Sequence, residues 1–130
     1  MQNLLLIGCG GFLGSVYRAV LSSAVAKFCP DFPLATLCVN ALGSFLIGVL
    51  LSLNLSENLR LFLVVGALGG FTTFSTFSYE TVRLFSSGQN LAAFLNAFFS
   101  VSVCLGFCYL GTVIRLKSKF YAPSSAPLKC

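Results

Sequence analysis

The chain has no histidine, and only three of its 130 residues are acidic. The commonest general base is therefore missing. The sequence also has no nucleophile set beside a base, no metal triad and no phosphate-cradling loop, so an enzyme is not expected. Charge of either sign is scarce: 8% of residues carry it, against 57% that are hydrophobic, and mean hydropathy is +0.94. That balance cannot cover a soluble globule, and it places the chain in the membrane class. Six cysteines stand at 9, 29, 38, 104, 108 and 130, mostly inside apolar runs. With no paired spacing and no histidine they do not spell a zinc site or a disulfide framework, and small buried hydrophobes are expected. Met1-Gln2-Asn3 carries no basic residue, and the stretch that follows lacks a small-x-small cleavage pattern. The first apolar run is therefore read as a span that stays.

The net charge of +5 sits at segment ends, with Arg115, Lys117, Lys119 and Lys129 gathered in the tail. This is membrane-flank charge, and no nucleic-acid partner is expected. A spanning helix needs roughly 20 apolar residues, which leaves room for about four spans and no separate soluble domain. The reading is an all-α membrane protein with spans at about 4–25, 33–53, 59–85 and 91–114, forming one domain over 1–114. A basic, flexible tail is expected over 115–130. Four helices enclose little polar space, so oligomerisation is expected on size alone. Four spans put both termini on one side, with five basic residues counting Arg60, against Lys27 and Arg83 with Arg18 near them. The small bias favours termini inside.

Within the first run, Gly10 and Gly14 form a small-xxx-small pair that lets helix backbones approach in lipid. In the second, Thr36, Asn40 and Ser44 recur every four residues, so one polar stripe should face protein or water. Ser56 or Asn54 is placed to cap the third run. That run is overlong and weak in its middle, where Gly69-Gly70 precede Phe71-Thr72-Thr73, and a helix break is expected there. The alternative is a continuous helix whose glycines only permit tight packing.

A break at membrane depth frees carbonyls that need a partner, and a small hard cation is one solution. Two copies meeting on a two-fold axis could each give two carbonyls. Phe71, Phe74 and Phe77 recur every three residues. They read as ordinary packing or, through the positive ring edge, as a shallow attractor for an anion. Asn40, Ser75, Thr76, Ser100 and Ser102 offer neutral donors, either for an anion or for helix–helix bonds. Asn96 adds another polar group to the fourth run. Arg18 fits a vestibule or a snorkelling anchor. Glu80 fits a coupling site, or a local pair with Arg83.

Three motifs in order carry a resemblance. They are Gly10-Gly11-x-x-Gly14-x-x-x-Arg18, Val39-Asn40-x-x-Gly43-Ser44-Phe45, and Gly69-Gly70-Phe71-Thr72-Thr73-Phe74-Ser75-Thr76-Phe77-Ser78-x-Glu80. Together they resemble the Fluc/CrcB fluoride channels across the first three spans, the fourth matching in length and character. The third motif is the specific one. The resemblance implies a multi-pass protein of the plasma membrane, the inner membrane in bacteria, that exports fluoride passively. It implies an antiparallel, dual-topology dimer with two narrow fluoride pathways, formed with a second copy or a close paralogue. It also implies a structural sodium ion (Na+) at the dimer centre, held by the backbone carbonyls of Gly69 and Thr72 from each subunit. Phe74 and Phe77 match pore-lining phenylalanines, Ser75 and Thr76 a hydroxyl track, Asn40 a pathway asparagine and Arg18 a vestibule arginine. Glu80 matches an acidic pathway position, while Ser100 and Ser102 are assigned by polarity alone. Two other readings compete: a small multidrug-type, proton-coupled antiporter that uses Glu80, and a membrane scaffold.

Overall fold

The computed structural model describes residues 1–28 and 33–121, with side chains to residue 117. The first helix is Gln2–Ala26, the second Leu34–Leu51 and the fourth Asn90–Tyr121. The third span, Glu57–Ser86, is divided in two. Its N-terminal half starts as an α-turn at Glu57–Arg60, runs through a π-helical stretch at Leu61–Leu68 and ends in a turn at Gly69–Phe71. Its C-terminal half is an α-helix, Phe74–Ser86. Among the described residues, four helices are thus long and apolar enough to cross a membrane. The fourth helix runs on to Tyr121, although the tail was expected from Arg115. Residues 122–130, with Pro123 and Pro127, lie outside the described residues, as do Cys29 and Cys130.

The first helix packs along the N-terminal half of the third, and the second packs along the fourth. Glycine makes the first contact possible. A Cβ on Gly10 would strike the Phe62 carbonyl, and one on Gly14 the Ala67 carbonyl. From the other side, a Cβ on Gly66 would lie 2.7 Å from the Ile7 carbonyl, and one on Gly70 would strike that of Gly11. The small-residue pair read in the first run is therefore a backbone-to-backbone seam. The second and fourth helices meet in the same way through Gly48 and Gly111, facing the backbone of Cys108 and Phe45.

The break is present, but the glycines do not make it. Gly69 is helical (φ −62°, ψ −38°), and the chain leaves the helix at Thr72 (ψ 153°) and Thr73 (φ −146°, ψ 112°). Two adjacent β-branched residues favour the extended backbone, while the preceding glycines serve the seam with the first helix. Ser56 holds the N-cap position of the third span, yet its side chain makes no capping bond. The C-terminal half closes at Gly88, whose φ of +78° suits a residue without a side chain. There the Gly88 and Gln89 N–H groups return to the Phe85 and Leu84 carbonyls.

Little of each helix is covered by its own chain: the buried share of the apolar windows runs from 11% to 28%. Cys9 and Cys38 are exposed, and Cys104 and Cys108 are partly so, which departs from the expected burial. In a membrane this exposure carries no hydration cost, because lipid or a neighbouring helix takes the place of water.

Candidate functional site

The site is built around the break. Ending a helix strands its last carbonyls, and starting another strands its first N–H groups. Asn40, on the second helix, meets both needs of one peptide. Its Nδ2 donates to the Thr73 carbonyl at 2.9 Å, and its Oδ1 accepts from the Thr73 N–H at 2.8 Å. The Thr73 hydroxyl then caps the second half by accepting from the Thr76 N–H at 3.2 Å and donating to the Thr76 hydroxyl at 2.9 Å. Thr73 is 8% exposed, so leaving these groups without partners would be costly.

The stripe on the second helix does face this half-helix. Thr36 donates to Glu80 Oε1 at 2.8 Å, two helical turns beyond the Asn40 contact at Thr73. The second carboxylate oxygen of Glu80 is buried and has no partner. Glu80 is therefore fastened to Thr36 by a hydrogen bond, and the Arg83 charge one turn on also acts on its carboxylate. Ser44, the third member of the stripe, lines a cavity of about 340 Å³ together with Asn40, Thr73, Phe74, Phe77 and Ser100.

The ring stripe divides at the break. Phe71 is 8% exposed and packs on the far side, against the first and second helices, whereas Phe74 and Phe77 stay together with centroids 5.4 Å apart and planes at 50°. Phe74 is 78% exposed in the single chain, and Ser75 and Thr76 are exposed beside it. Ser100, buried on the fourth helix, reaches the cavity, but Ser102 is exposed and does not line it. Arg18, partly exposed on the first helix, is not in the cavity wall either. One chain thus gathers Asn40, Phe74, Phe77 and Ser100 around the cavity, and leaves Arg18, Ser75, Thr76, Glu80 and Ser102 outside its wall.

The carbonyls near the break fit the proposed cation in kind. The Thr73 N–H goes to Asn40 and the Thr76 N–H to the Thr73 hydroxyl, so the helical ladder does not claim the carbonyls of Gly69 and Thr72. Neutral carbonyl oxygens are the donors a hard monovalent cation accepts. Among the described residues, no cluster of histidine, cysteine or carboxylate side chains could hold a metal.

A family model described as CrcB-like protein, Camphor Resistance (CrcB), matches residues 5–112. The chain belongs to this family. It is 46% identical over 120 residues to a protein of Ruminiclostridium cellulolyticum, covering 88% of this chain and 92% of the relative. It is 50% identical over 111 residues to one of Campylobacter fetus subsp. fetus (81% and 87% covered), and 50% over 117 residues to one of Elusimicrobium minutum (85% and 91%). All three relatives carry the name fluoride-specific ion channel FluC. This CrcB chain is a multi-pass membrane protein of a channel family, not an enzyme.

Asn96 was seen in the sequence only as a polar residue. It proves to be the most buried polar side chain among the described residues, at 2% exposed. Its Nδ2 donates to the Thr81 hydroxyl at 2.8 Å. The signal in the sequence was an asparagine within an otherwise apolar run, but its partner depends on how two helices are rotated against each other.

Proposed function

We propose that this chain is a fluoride-specific channel that lets cytoplasmic fluoride leave passively and so limits its toxicity. The observation that carries the reading is the Asn40 clamp on Thr73, beside a cavity that both residues line together with Phe74, Phe77 and Ser100. Support also comes from relatives up to 50% identical that are named for fluoride conduction.

An anion entering a narrow path must exchange its water for donors that bind without trapping it. Asn40 keeps one N–H after clamping Thr73, and Ser100, Ser75 and Thr76 carry hydroxyls. The ring edges of Phe74 and Phe77 add a weak positive field. Arg18 raises the local anion concentration at a vestibule. Glu80, tied to Thr36, belongs to the wet end of the path. A second copy, inserted antiparallel, or a close paralogue, completes each pathway and brings in groups such as Ser102 that one chain leaves outside. The carbonyls of Gly69 and Thr72 from both copies would hold a sodium ion, whose charge would tie the two breaks together. The plasma membrane, the inner membrane of a bacterium, is the expected location. A proton-coupled antiporter built on Glu80 is not favoured, because the relatives are named as channels.

The test is efflux from liposomes holding the purified protein, loaded in turn with fluoride and chloride, with valinomycin to release counter-charge. Fast fluoride loss with chloride retained is expected. Flux that appears only under a proton gradient and vanishes in Glu80→Gln would overturn the reading.

A further inference from the structure

The half-helix Phe74–Ser86 is separated from its own N-terminal half by two extended residues, so its position is set from outside. The second helix holds it at Thr73 and Glu80. All three bonds come from one side. On the other side stands the fourth helix, and there, among the described residues, one polar bond is found, from Asn96 to Thr81. The Thr81 hydroxyl that accepts from Asn96 also donates to the Phe77 carbonyl at 2.8 Å. A continuous line therefore runs from the fourth helix, through Asn96 and Thr81, to the backbone of the residue whose ring packs on Phe74.

We infer that Asn96 and Thr81 are positioning residues for the ion pathway: through the Phe77 carbonyl they fix the turn that presents the Phe74–Phe77 pair to the cavity, against the fourth helix that carries Ser100. The inference rests on the channel reading above. Asn96 does not line the cavity, so it acts on the path only through this line. Its burial at 2% and the chained geometry give the line strength, since a hydroxyl that both accepts and donates is polarised by each bond. In a membrane, an interhelical side-chain bond shifts an equilibrium by a factor of about three to twenty. The width of a path that must strip water from an anion is sensitive to shifts smaller than an atom.

The experiment uses full-length protein in liposomes and compares wild type with Asn96→Ala, Thr81→Val, Thr81→Ser and the double variant Asn96→Ala/Thr81→Val. Fluoride efflux per folded protein and the fluoride-to-chloride ratio are both read. Asn96→Ala and Thr81→Val are each expected to slow fluoride and lower the ratio, by about three- to twentyfold. Thr81→Ser, which keeps the hydroxyl, should stay near wild type, and the double variant should be no worse than the weaker single one. A merely structural role would lower the thermal midpoint and yield but leave the ratio of the surviving protein unchanged, and that result overturns the inference. So does equal loss in Thr81→Ser and Thr81→Val, or losses that multiply in the double variant. If Asn96→Ala does not fold, the Thr81 pair decides alone. A wild type that passes no fluoride overturns the channel reading and this inference with it, whereas a conducting wild type with unaltered variants overturns the inference alone.

Discussion

The two halves of the third span are held by opposite means. The N-terminal half lies against the first helix through Gly10, Gly14, Gly66 and Gly70, backbone on backbone, with no room for a Cβ at the contact. The C-terminal half is held at arm's length by side chains: Asn40 to Thr73, Thr36 to Glu80, Asn96 to Thr81. Dispersion between close backbones is stiff and indifferent to ions, while hydrogen-bonded side chains leave space between helices and polar atoms facing it. One span thus serves as anchor in one half and as cavity wall in the other, because the Thr72–Thr73 break separates the two duties.

Substituting the seam should do the greatest damage. Gly14→Leu drives a side chain into the Ala67 backbone, which cannot move aside, and should cost more than about 3 kcal/mol. No folded protein is expected on size-exclusion chromatography. If Gly14→Leu folded and conducted, the contrast between the halves would be broken.

Asn40→Ala comes next. It leaves the Thr73 N–H and carbonyl without their partner, at about 2–6 kcal/mol for the two groups together. Fluoride efflux should disappear, and thermal unfolding should fall by several degrees. Thr73→Ser is the sharpening control: it keeps the clamp and the capping oxygen, and should conduct.

A smaller effect separates the rings from the carboxylate. Phe77→Ile, which keeps an apolar side chain, should leave the fold intact and reduce fluoride efflux at least about tenfold, a loss of about 1.4 kcal/mol. Glu80→Gln retains an acceptor for Thr36, should change stability by less than about 1 kcal/mol, and should still pass fluoride without a proton gradient. The reverse order of effects in paired efflux assays would shift the function from the rings to Glu80.

The least effect is expected at Gly8, where an added Cβ meets nothing within 4 Å. Gly8→Ala should be neutral or stabilising by up to about 1 kcal/mol, read as a thermal midpoint, in contrast to its neighbours in the seam.

Much of this arrangement was legible in the sequence because the membrane imposes simple lengths and faces. The Thr36–Asn40–Ser44 stripe announced a shared polar face, and the structure puts Glu80, Thr73 and the cavity before it in that order. The break was legible, but its cause was not: glycine signals both flexibility and close packing, and only the position of the first helix decides that Gly70 serves the second. The division of the phenylalanine stripe followed from the same uncertainty, since Phe71 and Phe74 share a face only if the helix continues. Asn96 and Ser102 could not be told apart as donors, because the rotation of the fourth helix depends on contacts that its uniformly apolar sequence does not encode locally.

The Asn40 clamp joins residues 33 positions apart, and one of its two ends is a peptide group. A peptide group has no side chain to exchange, so the side chain at 73 can vary while that half of the bargain persists. At 40, the partner must offer a donor and an acceptor side by side at one fixed reach, which asparagine does and aspartate, serine and leucine do not. For the clamp, then, the demand on side-chain chemistry falls on the straight helix at 40, while at 73 the hydroxyl answers to a different task, the cap on Phe74–Ser86.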